Sequence, residues 1–276
     1  MPEITAQAVK DLREQTGLPM MDCKRALQQT GGDVAKAIEL LRKEGKKTME
    51  KRAGRTTSSG RIAVHADLAG GVGTMIDLRC ESAPVANNDQ FIQLANDLAR
   101  QLAAGPGAAS ADELLAQRSP SQPTHTLKQQ FDDLNNRIRE VFRLERLVRI
   151  NGACGGYAHH NGAVGVLLQV EGGTAELTKD ICMHVAAMRP TVVSKEDLDP
   201  AEVEKEREIL AEAARKEGKP EKIIAKMVEG RLQNFYAERC LLEQPFVKDD
   251  KRTVGQVAKD AGMKIVRFVH WELPKE

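Results

Sequence analysis

The strongest constraint on how this chain folds is a change of hydrophobic period that occurs twice in the same order. Ile62-Ala-Val-His-Ala-Asp-Leu68, a Gly-rich turn at Ala69-Gly70-Gly71 and Val72-Gly-Thr-Met-Ile-Asp-Leu78 alternate with period two. Phe91, Leu94, Leu98 and Leu102 then repeat at helical spacing. Far downstream the order returns. Gly156-Tyr157-Ala158-His159-His160, the turn Asn161-Gly162 and Val164-Gly-Val-Leu-Leu-Gln-Val170 form a second hairpin, and Leu177, Ile181, Val185 and Met188 mark a helix that ends before Pro190. Asn-Gly is the strongest short hairpin signal. The pattern predicts two β-β-α units that arose by duplication, with helices packed on one side of small antiparallel sheets.

The residues before the first unit read as three short helices. Thr5 caps one carrying Val9 and Leu12 and ending at Gly17; Asp22 begins a second with Ala26 and Leu27, closed by Gly31-Gly32. Asp33 caps a third, with Val34, Ala37, Ile38 and Leu41 on one face, that stops near Gly45. Residues 42 to 61 hold eight Lys or Arg against two Glu, with Gly54, Thr56, Thr57, Ser58, Ser59 and Gly60, and read as a basic linker. Between the two units, residues 105 to 126 are rich in Gly, Ala, Pro, Ser and Gln, and a charged helix is expected from about Leu127 to Arg149.

Residues 195 to 222 carry seven basic and ten acidic side chains on a helix-compatible pattern with Pro200 near its start. After the break at Gly218-Lys219-Pro220, Ile224, Val228, Leu232 and Phe235 give a second helix, so the pair reads as an antiparallel helical arm. Thr253 caps a short helix, and Lys264 to Trp271 is a last strand. The expected fold is α+β: a three-helix domain with its basic linker at 1–54, a first core subdomain at 55–150, a second at 151–191 and 240–276, and the arm at 192–239.

Composition limits the function. The 276 residues include 41 Lys or Arg and 40 Asp or Glu, a net charge of +1, with 41% hydrophobic residues. Such a chain is neither an acidic disordered protein nor a polybasic nucleic-acid binder. Aromatics are only 3%, too few for the stacking platforms of single-stranded nucleic-acid binders. Cys23, Cys80, Cys154, Cys182 and Cys240 form no C-x-x-C pair and read as reduced thiols in a cytoplasmic protein. Met1 to Lys10 lacks a signal-peptide pattern, and no run of 18 apolar residues occurs, so neither secretion nor a membrane role is expected.

No convergent catalytic set emerges. His159 and His160 are metal-ligand types, but neighbours in a strand face opposite ways, which favours a hairpin-end role over metal binding. His184 lies on an apolar helix face, where a satisfied core or interface histidine outweighs a general base. Gly70-Gly71-Val72-Gly73 lacks the Lys-Ser or Lys-Thr of a phosphate loop. Cys23 follows Asp22 near a helix start but has no histidine nearby, so a small buried cysteine is favoured. The residues alone point to a non-catalytic interaction protein, not an enzyme, with no cofactor and no metal site.

Thr16-Gly-Leu-Pro-Met20-Met21-Asp-Cys-Lys-Arg-Ala-Leu27 resembles the T-G-A-G-M-M-D-C-K-K-A-L signature of the elongation factor Ts family. Colinear matches follow at Tyr157-Ala-His159-His160-Asn-Gly, Met183-His184-Val-Ala-Ala187, Pro200 to Arg207, Lys226 to Arg231, Gln244 to Lys248 and Thr253 to Gln256. The resemblance implies a UBA-like helical domain, a duplicated core and an inserted coiled-coil arm. It also implies a guanine-nucleotide exchange factor for elongation factor Tu in protein synthesis, meeting that partner in its GDP-bound and nucleotide-free states. Neither sequence-specific nucleic acid nor a membrane is implied, and a homodimer through the arm stays open.

By the same resemblance Leu12, Met20 and Met21 are partner-contact positions. The family's T-D-F-V-A segment, whose Asp-Phe pair enters the partner near its Mg²⁺ site, aligns with Ser82-Ala83-Pro84-Val85-Ala86. The carboxylate and the ring are absent here, although Ser82 as N-cap and Pro84 in the first turn would still start a helix. This Mg-dislocating segment is therefore expected to act in altered or weakened form, the alternative being a degenerate paralogue that binds or stabilises elongation factor Tu without efficient exchange. His159, His160 and His184 are second-core candidates. The family's G-E-N-I stretch appears as Arg139-Glu140-Val141-Phe142, with Phe142 expected in the core. The chain ends soon after Trp271, where many relatives continue into a helix, which implies one partner contact fewer.

Overall fold

Short-range capping chemistry sets where most helices begin. In the computed structural model, which describes residues 4–218 and 220–274, Thr5 accepts from Ala8 N to start α1 (Ala6–Thr16), which ends at Gly17 in the left-handed region at φ 67°. Helix α2 (Met20–Gln29) starts earlier than Asp22, because the Pro19 carbonyl takes the N–H groups of Asp22 and Cys23. Asp33 accepts from Lys36 N and starts α3 (Val34–Arg52). Val9, Leu12, Cys23, Ala26, Leu27, Ala37 and Leu41 fill the core of this UBA-like three-helix domain.

The basic stretch is not a linker over most of its length. Helix α3 runs through Gly45 to Arg52. A Cβ at Gly45 would collide with the Asn136 side chain, so this glycine permits close helix crossing rather than ending a helix.

Strands β1 (Ser59–Asp67) and β2 (Val72–Cys80) form the first hairpin, followed by α4 (Ala83–Ala86), α5 (Asp89–Ala104), α6 (Ala111–Leu115) and α7 (Leu127–Ile138). The expected helix to Arg149 stops eleven residues early, at Ile138. Arg139 takes a left-handed conformation, φ 64°, and β3 (Arg143–Asn151) turns back to pair antiparallel with β2. Strands β4 (Cys154–Ala158) and β5 (Val164–Glu171) lead to α8 (Ala175–Met188), and the arm consists of α9 (Pro200–Lys216) and α10 (Glu221–Arg239). Lys219 of the expected break lies outside the described residues. The chain finishes with β6 (Pro245–Phe246), β7 (Asp249–Thr253), α11 (Val254–Asp260) and β8 (Lys264–Glu272).

The two main sheets have the orders β1-β2-β3 and β4-β5-β8, all antiparallel. Alternation sends Ala63, Ile76 and Leu78 outward onto Phe91, Leu94 and Leu98 of α5 and Leu127, Phe131 and Leu134 of α7. Val64, Ala66, Val148 and Ile150 point the other way, against Cys154, Leu167 and Val269 of the second sheet. Val166, Leu168 and Val170 in turn cover Ile181, Cys182 and Val185 of α8. The core is thus α+β in four layers: helices, sheet, sheet, helices. Glycines bring the sheets close; a Cβ at Gly73 would lie 2.6 Å from both Cys154 Cβ and Leu167 Cδ1.

The arm has its own apolar seam of Ala214, Ile224, Val228 and Leu232. Its ends meet side by side where Val192 bridges Cys240.

Candidate partner-binding surface

Three segments singled out by sequence come to the surface in sequence-dictated ways. At the first, Gly17 turns the chain out of α1 and Pro19 directs it into α2, so that the buried positions of α2 are Cys23, Ala26 and Leu27. The first turn then projects Met20 and Met21, 49% and 69% exposed. Exposed thioethers on unbranched stems give an adaptable apolar contact. Leu12 does not join them: it is 1% exposed and packs inside the three-helix core, because it shares the inward stripe of α1 with Val9.

The second segment follows β2. Ala83 and Pro84 are exposed, Val85 is half-buried, and Ala86 packs against the first core. Ser82 occupies the N-cap position of α4, but its side chain does not cap the helix. The hydroxyl donates instead to Glu140 Oε1 at 2.6 Å, while Glu140 Oε2 accepts from the backbone N–H groups of Glu81 (3.1 Å) and Ser82 (3.0 Å). Glu81 reciprocates: its Oε1 accepts from Val141 N at 2.7 Å and its Oε2 from Arg55 Nη1 at 3.1 Å. Burial, with the Glu140 charge adding to it, pushes the neighbouring Cys80 thiol up to about 12, so it stays an unreactive thiol at neutral pH.

The third segment is the turn after β4. His159 and His160 lie beyond the strand end rather than within it, so the two rings do not face opposite ways; their centroids are 4.3 Å apart. Tyr157 Oη hydrogen-bonds His159 Nδ1 at 2.7 Å. Gly162, at φ 71°, closes the turn by donating to the His159 carbonyl. No group of three or more His, Cys, Asp or Glu side chains that could hold a metal occurs among the described residues.

Long-range polar contacts join these segments in series. Asp22, next to Met21, is ion-paired with Arg139. Arg139 adjoins Glu140, which holds Ser82. At the far end of α4, Arg61 donates to the carbonyls of Ala86 (3.3 Å) and His160 (3.1 Å), so one guanidinium ties the corner to the histidine turn across the two sheets.

His184 stands apart, on α8 in the outer helical layer. It is fully buried; its Nδ1 accepts from Val247 N at 3.3 Å, so Nε2 carries the proton toward Gln244 Oε1 at 2.9 Å. Burial lowers its pKa. It is a neutral internal bracket between α8 and the residues after α10. Phe142 is likewise interior, 5.0 Å edge-on from Phe91 and 5.8 Å from Phe131.

Sequence reasoning passed over Arg61, Arg139 and Glu140 as site residues. Each looks like an ordinary surface charge in a single sequence, and the only available signal was that Arg139-Glu140 begins the stretch aligned with G-E-N-I.

The chain matches the family model described as Elongation factor TS over residues 81–275. It is similar to Elongation factor Ts of Thioalkalivibrio sulfidiphilus, 40% identical over 270 residues that cover 98% of this chain and 92% of that one. It is equally similar to Elongation factor Ts of Kineococcus radiotolerans, at 40% identity over 98% of both chains. The protein of that name from Aquifex aeolicus is 39% identical, again over 98% of each.

Proposed function

The chain belongs to the elongation factor Ts family, and from that membership we propose that it binds elongation factor Tu and promotes GDP release during protein synthesis. Its work is exchange by differential binding; no covalent bond changes. A factor that prefers the nucleotide-free partner weakens the nucleotide, and by reciprocity the nucleotide weakens the factor. The observation that carries this reading is the pair of exposed methionines, Met20 and Met21, raised at the start of α2 within the family signature. They offer the helical domain's contact, and the Ser82–Ala86 corner offers a second. The His159–His160 turn is tied to that corner through Arg61 and forms its flank.

A specific observation favours a second reading, a relative that binds or stabilises elongation factor Tu with little exchange. The exposed positions of the corner are Ala83 and Pro84, so neither a carboxylate nor a ring is available to enter the partner. Burying a Phe contributes about 1.5–3 kcal/mol, and ~1.4 kcal/mol is ten-fold, so its absence lowers exchange by ten-fold or more.

Linkage separates the readings. Calorimetric titration of this protein into nucleotide-free and GDP-loaded elongation factor Tu should give tighter binding to the nucleotide-free form under the first reading. Equal affinities would leave binding without exchange, and no binding to either form would refute both.

A further inference from the structure

Resting on the exchange reading above, we propose that Arg139 and Glu140 form a positioning pair that holds the Met20–Met21 surface and the Ser82–Ala86 corner at one fixed separation.

The two surfaces belong to different bodies, the three-helix domain and the first core layer, and the chain between them passes through α3 and all of β1 and β2. Covalent connection alone would leave their relative placement loose. The bodies also touch where Arg42 of α3 pairs with Asp133 of α7 and Gly45 crosses Asn136, and Arg139 and Glu140 are where that seam is joined to the corner. Arg139 is a non-glycine residue in the left-handed region, a conformation that costs about 1 kcal/mol or more unless its surroundings hold it. Here they do. Its backbone N–H donates to Asn135 O as the cap of α7, its carbonyl accepts from Arg52 Nη1 of α3 at 2.5 Å, and its guanidinium is paired with Asp22 of α2. Three helices therefore converge on one residue.

Glu140 then reaches the other way. Its carboxylate takes three donors from the corner beneath α4: Glu81 N, Ser82 N and Ser82 Oγ. Glu81 returns a bond to Val141 N and a charge contact to Arg55 just past α3, so the corner is held from both sides. Hydrogen bonds to a charged group are stronger and more directional than neutral ones. Neither Arg139 nor Glu140 is among the residues offered to the partner; they act through Asp22 and Ser82. Two contacts on one partner reinforce each other only when their spacing matches it. Fixing that spacing beforehand removes an ordering cost from the bound state.

The test uses spin labels on the full chain at Met21→Cys and Ala83→Cys, positions that are exposed. The five native cysteines are buried and do not compete for label. Pulsed dipolar spectroscopy should give one narrow distance distribution in this background and a broad one when Arg139→Ala and Glu140→Gln are added. Glu140→Gln alone, which keeps volume and removes only the charge, serves if the double variant loses its thermal transition. Arg139→Lys, which keeps the charge beside Asp22, should restore most of the narrowness. In parallel, Glu140→Gln without labels should raise the half-saturating concentration for GDP release about ten-fold while the maximal rate moves less than about three-fold, the mark of binding lost equally from complex and transition state.

An equally narrow distribution in the substituted chains overturns the positioning role, whatever the exchange rates. Failure of the unsubstituted chain to speed GDP release overturns the exchange reading instead, and the distances still decide this one.

Discussion

Asp77 and Arg146 meet between the two sheets: the carboxylate is fully buried and its Oδ2 accepts from Arg146 Nε at 3.0 Å and Nη2 at 2.7 Å. The same carboxylate takes Arg79, itself almost buried, at 2.5 and 2.8 Å. Arg146 also stacks over Trp271, 4.6 Å from its ring, and so ties β3 to β8 of the other sheet. Removing one member of a buried charge group leaves the others uncompensated. Asp77→Ala should therefore cost about 3 kcal/mol or more in urea unfolding. Because Trp271 is the only tryptophan, its emission should shift in the folded variant as well. An unchanged midpoint would mean that the guanidiniums find water or other acceptors.

A second expectation concerns pH. Burial depresses the pKa of both His184 and His270 in the folded chain. Unfolding frees them to return to the ordinary histidine value of about 6.5. Below that value the unfolded state binds protons that the folded state refuses, so stability is full above about pH 6.5 and falls as pH drops toward the folded values. Thermal midpoints across this window should decline on acidification, and His184→Gln should reduce the slope. The same slope in the substituted chain would assign the effect to other groups.

These two expectations depend on features that differ in how far the sequence disclosed them. Caps were readable because they are local: Thr5, Asp33 and Thr253 each accept from an N–H three residues on. Strand β3 was not. Its register slips opposite Asp77 and Leu78, so Leu144 pairs with Leu78 while Arg146 pairs with Asp77, and Glu145 is left extra. That bulge puts Leu144 and Leu147 on one face at a spacing of three, with Val148 four residues on, which imitates a helix. Gly45 misled in a similar way, since close approach to Asn136 leaves the same trace in sequence as a helix stop. At the candidate surface the methionines were legible from their motif. The contacts of Arg61, Arg139 and Glu140 join residues 25 to 117 positions apart, and no local pattern encodes them.

For the helical domain, Met20→Ala and Met21→Ala should separate affinity from stability. Both side chains are exposed, so the free energy of unfolding should change by less than about 0.5 kcal/mol. Affinity for elongation factor Tu should fall by about 1–2 kcal/mol for the pair, as expected for apolar anchors covered on binding. Leu12→Ala should do the reverse, losing about 2–5 kcal/mol of domain stability through the cavity it leaves. A Leu12 variant that folds normally but binds poorly would place that residue in the contact after all.

Restoring the corner addresses the second contact. Ala83→Asp with Pro84→Phe supplies the carboxylate and ring on a scaffold already held by Glu140. GDP release should quicken about ten-fold, with little change in folding because both positions are exposed. An unchanged rate would show that this chain drives release from elsewhere.

The most direct measurement is the release of a fluorescent GDP from elongation factor Tu, followed by stopped flow with this protein at less than one equivalent. Every partner molecule should lose its nucleotide faster than it does alone, with a rate that rises with the amount of this protein added and is lower after Met20→Ala and Met21→Ala. Release at the intrinsic rate, in a mixture where the complex demonstrably forms, would contradict it.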